Sequence, residues 1–232
     1  DVTYALQAAL DEIYREGSAY DTLYFPAGVY VCSGLEIRGR KGKPVTIYME
    51  EGALMKNRLQ ECMQAMEPAI GIWDSISGRG IFDGNGVENY RKDRHDAKDS
   101  CHQGGVMIVR SSNIVFNDTY VRDAKQWNWE SHGSKNCTLN NIKGLTPYNQ
   151  PWVDGLDMAS AQDLDINGVF TLGNDDCFAS GHYNPSDGFK NTVPGFDEYN
   201  ADFTQWDTED SFNVSVKNTL GWSCAGGNGI RM

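Results

Sequence analysis

Apolar and polar positions follow two different periods along the chain. Over 1–15 the apolar residues Leu6, Leu10 and Ile13 recur every three to four positions, which predicts one amphipathic helix. After Gly17 the period falls to two, in short runs such as 22–25 and 45–49 that glycine- and proline-containing turns separate. The chain is therefore predicted to be all-β behind a single N-terminal helix.

A segment made of a turn and an alternating strand occurs four times between residues 112 and 217. Each copy has Asn or Asp at its turn, and these residues are Asn113, Asn136, Asp163 and Asn213. Their spacings are 23, 27 and 50 residues, the last being two steps of about 25. A second set of apolar strands alternates with these copies, at 106–109, 127–129, 155–158 and 176–179.

A period of this length is typical of a solenoid, whereas a propeller blade needs about 40 residues or more. Three short strands per repeat would stack into a parallel β-helix. Its inward-facing positions are predicted to be Ile114, Phe116, Leu139, Ile142, Leu164 and Ile166. We expect one domain over 1–232, and because the sequence stops inside a predicted strand, we expect a fragment that lacks its C-terminal coils.

Charge and composition exclude several classes of protein. The 20 Lys and Arg residues against 32 Asp and Glu residues leave a net charge of −12, which disfavours binding to nucleic acid. No apolar run approaches the roughly 18 residues that a membrane-spanning helix needs, so we expect no membrane partner. The six cysteines form no C-x-x-C pair, which argues against a zinc ribbon or a thioredoxin-like site.

Three aspartates fall about one coil apart. Asp154 precedes Asp175 and Asp176 by 21 and 22 residues, so in a solenoid the three carboxylates would stack on one face. Repulsion between stacked carboxylates raises at least one pKa and separates a protonated donor from an ionised base. Glycoside hydrolysis needs such a pair. The alternative is that these acids are solvated turn residues or bind calcium.

Three motifs resemble the signatures of the polygalacturonase-like glycoside hydrolases, which read N-T-D-G, G-D-D-C and G-H-G-I. The matching segments are Asp154-Gly155-Leu156-Asp157, Asn174-Asp175-Asp176-Cys177 and Gly227-Asn228-Gly229-Ile230. Segments at 25–30 and 76–84 resemble early coils of the same family. More distantly, the chain is similar to the dextranase- and isopullulanase-like β-helix hydrolases.

The resemblance implies a right-handed parallel β-helix that hydrolyses a polysaccharide with inversion and needs no cofactor or metal. It implies that Asp175 is the general acid and that Asp154 and Asp176 hold and deprotonate the water. Pectin-like polygalacturonate is the first choice of substrate, and an extracellular or periplasmic location follows. Cys177 and Cys224 occupy positions that are often bridged in similar enzymes.

Candidate substrate-binding residues surround these motifs. Asn228 stands where the family has His, and His182 opens a long aromatic-rich loop over 182–211 that could form a wall of the cleft. Trp127 and Trp129 share one face of a strand, which is either inward, as core, or outward, beside the substrate. The candidates are Trp129, Trp152, His182, Asn228 and Arg231.

Other functions stay open on the sequence alone. Asn174 before the aspartate pair also resembles hydrolases of neutral α-glucans. A β-helix that binds a polysaccharide without cleaving it would tolerate Asn228 in place of His. A lyase or epimerase would use calcium and a basic residue, but no Lys or Arg lies beside the three acids in sequence.

Overall fold

In the part of the chain that the structure describes, the fold consists of three long parallel sheets, one two-stranded sheet and one helix. The computed structural model describes residues 2–32, 35, 37–38, 44–57, 70–71, 74–86, 105–109, 112–124, 127–146, 153–181, 211–224 and 226–231. The helix α1 spans Thr3–Tyr14. The strands are β1 Thr22–Phe25, β2 Gly28–Cys32, β3 Ile37–Arg38, β4 Val45–Met49, β5 Ala53–Asn57, β6 Ile70–Gly71, β7 Asp74–Gly78, β8 Ile81–Asp83, β9 Val106–Val109, β10 Val115–Asn117, β11 Tyr120–Arg122, β12 Trp127–His132, β13 Lys135–Asn140, β14 Lys143–Leu145, β15 Asp154–Ala159, β16 Gln162–Asn167, β17 Phe170–Gly173, β18 Phe178–Gly181, β19 Phe212–Lys217, β20 Leu220–Ser223 and β21 Ile230–Arg231.

Successive strands enter the three sheets in turn. The first sheet has the order β1-β4-β7-β10-β13-β16-β19, the second β2-β5-β8-β11-β14-β17-β20 and the third β9-β12-β15-β18-β21, while β3 and β6 pair separately. The pairs are parallel throughout, as in β13 with β16 and β15 with β18. The right-handed parallel β-helix predicted from the sequence is confirmed.

The core is built from columns of apolar residues that stack in register between coils. In the first sheet Ile76 pairs with Phe116, Phe116 with Leu139 and Leu139 with Ile166. All six residues predicted to point inward, at positions 114, 116, 139, 142, 164 and 166, are at most 4% exposed. Leu10 and Ile13 of α1 belong to the same core, so the predicted capping helix is confirmed.

The recurring Asn and Asp residues form a ladder at the turns before the first sheet. Asn113, Asn136, Asp163 and Asn213 all adopt positive φ, between 53° and 62°, a conformation that Asn and Asp tolerate better than most residues. Asn136 donates a hydrogen bond to Asn113, and Asn213 donates one of 2.6 Å to Asp163. The turn chemistry therefore repeats once per coil and sets where each strand begins.

The strands β19, β20 and β21 lie at one end of the three sheets. Phe212, Leu220, Trp222 and Ile230 of these strands are exposed. A single domain over 1–232 and missing C-terminal coils stay predictions. Across the described residues, the structure contains no helix with the length and apolar character needed to span a bilayer.

Candidate active site

The third sheet brings the predicted catalytic residues together. Leu156 pairs with Phe178, and Phe178 pairs with Ile230, so the residues two positions earlier also lie in line. These are Asp154, Asp176 and Asn228, on three successive coils. The 21-residue spacing suggested that Asp154 aligns with Asp175, but the coil is 22 residues long and the aligned residue is Asp176.

The turn that carries Asp175 is anchored to the coil below it. The backbone N–H groups of Asn174 and Asp175 both donate to the carbonyl of Val153, at 3.0 and 3.2 Å. The Cys224 N–H on the next coil donates to the carbonyl of Gly173 at 3.0 Å. Because backbone hydrogen bonds hold the turn on both sides, Asp175 has a defined place beside the other two acids.

Asp176 accepts several hydrogen bonds. Its Oδ1 accepts from the backbone N–H of Asn228 at 2.7 Å and from the Asn228 side-chain amide at 2.8 Å. Its Oδ2 lies 3.4 Å from Nη1 of Arg231. The residue is only 2% exposed. Burial alone would raise the pKa of Asp176, but the donors from Asn228 and Arg231 outweigh burial and lower it.

The environment of Asp154 raises its pKa, in contrast to that of Asp176. It is 8% exposed, and burial, followed by the negative charge of Asp157, raises its pKa to about 8. The backbone N–H of Asp176 donates to Asp154 Oδ1 at 3.0 Å, which opposes this rise only in part. The Asp154 carboxyl is therefore protonated at neutral pH.

Asp175 lies between these two cases. It is half-buried, and burial together with the charge of Asp176 raises its pKa, while the Arg231 charge acts in the other direction. The three carboxyls thus differ in proton affinity although they lie on two adjacent coils. Such a difference is the arrangement that acid–base chemistry needs.

Glycine at position 227 allows the coils to approach closely at this point. A Cβ atom on Gly227 would overlap the backbone carbonyl group of Asp175. The same approach brings the N–H of Asn228 to Asp176 and the N–H of Cys177 to the carbonyl of Asn228, at 2.9 Å. Any larger residue at 227 would therefore displace the acids.

Trp129 is a core residue, which corrects its assignment to the substrate. It is 2% exposed and packs edge-to-face against Phe116, with ring centroids 4.8 Å apart. Its column in the third sheet consists of apolar residues, Val106 below and Leu156 above. Of the tryptophans that the structure describes, Trp127 lies beside the acids, because it is half-buried and pairs in register with Asp154.

Cys177 and Cys224 are free thiols in the structure. Burial raises the pKa of the Cys177 thiol, and the charges of Asp176 and Cys224 raise it further, so the two cysteines are neighbours. The bridge implied by the family resemblance is not formed here and stays a prediction.

Trp152, His182 and most of the loop over 182–211 lie outside the described residues. Their predicted contacts with the substrate stay predictions. In the described part of the chain, no group of three or more His, Cys, Asp or Glu side chains is arranged to hold a metal ion.

Comparison with known proteins places the chain in a family. The profile of the glycosyl hydrolases family 28 matches residues 23–193, which include all three aspartates. The chain belongs to glycosyl hydrolases family 28. Asn228 and Arg231, which contact Asp176, lie beyond the matched region.

A relative in sequence supports this membership, and solved structures share the fold. A polygalacturonase of Medicago sativa is 26% identical over 251 residues, covering 100% of this chain and 57% of its own length. The structure resembles the polygalacturonase from Erwinia carotovora ssp. carotovora, with a TM-score of 0.66, 14% identity and coverage of 95% and 59% of the two chains. It also resembles a family 28 exopolygalacturonase of Yersinia enterocolitica, with a TM-score of 0.61, 16% identity and coverage of 99% and 52%. This family 28 chain thus spans between half and three fifths of the length of these proteins.

Three features of the site were not found by reasoning from the sequence. Asp157 raises the pKa of Asp154 through its charge. The backbone contacts of Gly227 and the ion pair of Arg231 depend on how a distant coil lies over Asp175 and Asp176. The Gly-Gly-Asn-Gly segment at 226–229 is the sequence signal that would have indicated a close approach.

Proposed function

We propose that this chain hydrolyses glycosidic bonds of a polysaccharide with inversion, with Asp175 as the general acid and Asp176 as the general base. One observation carries the proposal: Asp175 and Asp176 adjoin in one turn, but Asn228 and Arg231 contact the carboxylate of Asp176, which lowers its pKa, while burial raises that of Asp175. Glycoside hydrolysis needs one protonated and one ionised carboxyl group. Membership of family 28 supports the same class of reaction.

In this mechanism Asp175 donates its proton to the glycosidic oxygen while the bond between that oxygen and the anomeric carbon breaks. Water attacks the anomeric carbon from the opposite face, and Asp176 accepts a proton from this water. The new carbon–oxygen bond forms opposite the broken one, so the anomeric configuration inverts. Asp175 ends ionised and Asp176 protonated, and proton exchange with solvent restores both groups.

Asp154 has a different role in this proposal from the base role that the family resemblance implies. Because its pKa is about 8, its carboxyl carries a proton at neutral pH and cannot accept one from water. A protonated carboxyl both donates and accepts hydrogen bonds. We therefore assign Asp154 to hold the attacking water and the backbone of Asp176, which already donates to it at 3.0 Å.

Polygalacturonate is the first substrate that we propose, because the relatives over most of the chain are polygalacturonases. Neutral α-glucans such as dextran and pullulan are the second. Asn174 before the aspartate pair and Asn228 in place of the family His favour them. The site as described holds one positive charge, that of Arg231, beside Asp176.

The test is release of reducing ends from polygalacturonate, rhamnogalacturonan, dextran and pullulan, each with and without EDTA. The matched pair of variants is Asp175→Asn in the site and Asp165→Asn on the exposed face of β16. We expect the first to lower kcat by about 10³-fold and the second to leave it unchanged. NMR of the first product formed reports whether the anomeric configuration inverts.

Equal activity of Asp175→Asn and the parent protein would contradict the role of Asp175 as acid. If the folded parent protein is active on none of the four substrates, this would contradict hydrolysis and favour a polysaccharide-binding β-helix. Slower migration in gels that contain the substrate would detect such binding. Loss of activity in EDTA would favour a calcium-dependent lyase. An ultraviolet-absorbing unsaturated product would identify that reaction directly.

We extend the proposal to an extracellular or periplasmic location, because a polysaccharide is too large to reach a cytoplasmic enzyme without prior cleavage. Fractionation of the producing cells, with activity followed in each fraction, tests it. Activity confined to the cytoplasm would contradict it.

A further inference from the structure

The contact between Arg231 and Asp176 is an ion pair between two coils. Arg231 lies in β21, where it pairs in register with Ala179 of β18, and its side chain is 71% exposed. Its Nη1 is 3.4 Å from Oδ2 of Asp176, the oxygen that Asn228 does not contact. One oxygen of the buried carboxylate is therefore held by Asn228 and the other faces a guanidinium group.

Among the described residues, the other charged and titratable groups around Asp176 are acidic or thiol groups. Asp154 and Asp157 lie on β15, Asp175 precedes Asp176 in the same turn, and Cys177 follows it. The negative charge of Asp176 acts on Asp175, and the positive charge of Arg231 acts on both. A carboxylate in such surroundings needs a compensating positive charge to stay ionised.

We propose that Arg231 is a positioning residue, which orients the Asp176 carboxylate and supplies its counter-charge from the neighbouring coil. The inference rests on the proposed function, in which Asp176 is the base. It replaces our sequence-based expectation that Arg231 binds the substrate. Arg231 lies outside residues 23–193, the region that matches the family profile.

The two roles of Arg231 predict different effects of substitution. A guanidinium that binds substrate lowers KM, and its loss raises KM without affecting the proton affinity of Asp176. A guanidinium that holds Asp176 keeps the base ionised at lower pH, and its loss raises the pKa of Asp176. The acidic limb of the kcat/KM profile then moves to higher pH, while KM changes little.

The first measurement is an NMR titration of the aspartate side-chain carboxyl carbons, with Asp176→Asn to identify the resonance. It compares the parent protein with Arg231→Met, which removes the charge, and with Arg231→Lys, which retains it. Arg79→Met is the matched control, because Arg79 forms an exposed ion pair with Glu51 at the same 3.4 Å distance. Turnover is not needed, so the result is independent of whether the proposed function is correct.

We expect the pKa of Asp176 to rise by about half a unit to one unit in Arg231→Met, since an exposed partner contributes modestly. We expect Arg231→Lys to reverse most of this shift and Arg79→Met to cause none. An unchanged Asp176 pKa in Arg231→Met would overturn the inference.

Kinetics with the active substrate of the panel give the second readout. On the acidic limb of the profile, below the pKa of Asp176, we expect kcat/KM to fall about 3- to 10-fold in Arg231→Met, as a rise of half a unit to one unit in that pKa requires, with KM nearly constant and partial rescue in Arg231→Lys. A rise in KM at constant kcat would instead assign Arg231 to the substrate and overturn the inference. If the Asp176 pKa shifts in Arg231→Met but the parent protein is inactive on every substrate, the inference about Arg231 is supported and only the proposed function is contradicted.

Discussion

The backbone N–H of Asp176 donates a 3.0 Å hydrogen bond to Oδ1 of Asp154 on the preceding coil. This bond ties the turn that carries two acids to the first residue of β15, where the third acid lies. Asp154 keeps its proton because it is buried there, whereas hydrogen bonds donated from the following coil stabilise the Asp176 carboxylate and lower its pKa. Because the coils stack in this way, identical aspartate side chains have different pKa values.

The burial of Asp154 predicts that stability depends on pH. Its pKa rises from 3.8 to about 8 on folding, so between these values the folded chain binds a proton that the unfolded chain releases. Stability due to this group is therefore present at pH 4 and is lost as the pH rises to 8. We expect Asp154→Asn to be more stable than the parent by about 2–4 kcal/mol at pH 8 and similar to it at pH 4.

Urea unfolding at pH 4, 6 and 8 measures this difference. Asparagine retains an oxygen that can accept from the Asp176 N–H, so the variant tests the charge and not the hydrogen bond. The exposed Asp165→Asn variant is the control and should follow the parent protein at each pH. A constant difference between Asp154→Asn and the parent from pH 4 to pH 8 would show that Asp154 is ionised in the folded protein.

The close approach of Gly227 to Asp175 predicts that even a methyl group is harmful there. In Gly227→Ala the new Cβ would overlap the Asp175 carbonyl, so the turn must move and the acids lose their alignment. We expect kcat to fall about 100-fold, as for other displacements of about 1 Å in active sites. Gly229→Ala is the matched control, because a Cβ at that position meets no atom within 4 Å. Equal kcat values for the two variants would refute this steric argument.

The burial of Trp129 predicts a stability defect when the side chain is truncated. Removal of the indole in Trp129→Ala leaves a cavity against Phe116, and we expect a loss of about 3–5 kcal/mol of unfolding free energy. Trp129→Phe retains an aromatic ring and should cost much less. Thermal melts followed by circular dichroism compare the three proteins. A rise in KM with unchanged stability in Trp129→Ala would restore the sugar-binding role and contradict the core assignment.

The proximity of Cys177 and Cys224 predicts that an oxidant can join them. The bridge would close a loop of 46 residues and add about 3–4 kcal/mol of stability in the chain-entropy model. Burial raises the pKa of Cys177, so we expect slow formation at neutral pH and faster formation above pH 8. Peptide mapping identifies the pair, and Cys224→Ser should lose the difference between oxidised and reduced melting temperatures. Detection of both residues as free thiols after treatment with excess oxidant would disprove the bridge.

The repeat could be interpreted correctly because each coil uses the same local physics. Asn113, Asn136 and Asp163 occupy the one backbone conformation at the turn that disfavours most other residues, and the strand that follows each of them alternates apolar and polar side chains. Spacing and alternation alone therefore predicted the β-helix and its inward-facing residues. The motif resemblance indicated Asp154, Asp175 and Asp176 as the acids, and the structure places all three on two adjacent coils.

The sequence by itself determined the period of the coils, the side chains that enter the core and the acids that meet on one face, since these follow from local conformation and side-chain alternation. Only the tertiary structure decided that Asp176, and not Asp175, aligns with Asp154, because the register depends on the length of the whole coil. It also decided that Trp129 is inside and that Arg231 reaches Asp176. The burial and the electrostatic environment of a side chain depend on residues from several coils. They therefore cannot be predicted from any one segment of the chain.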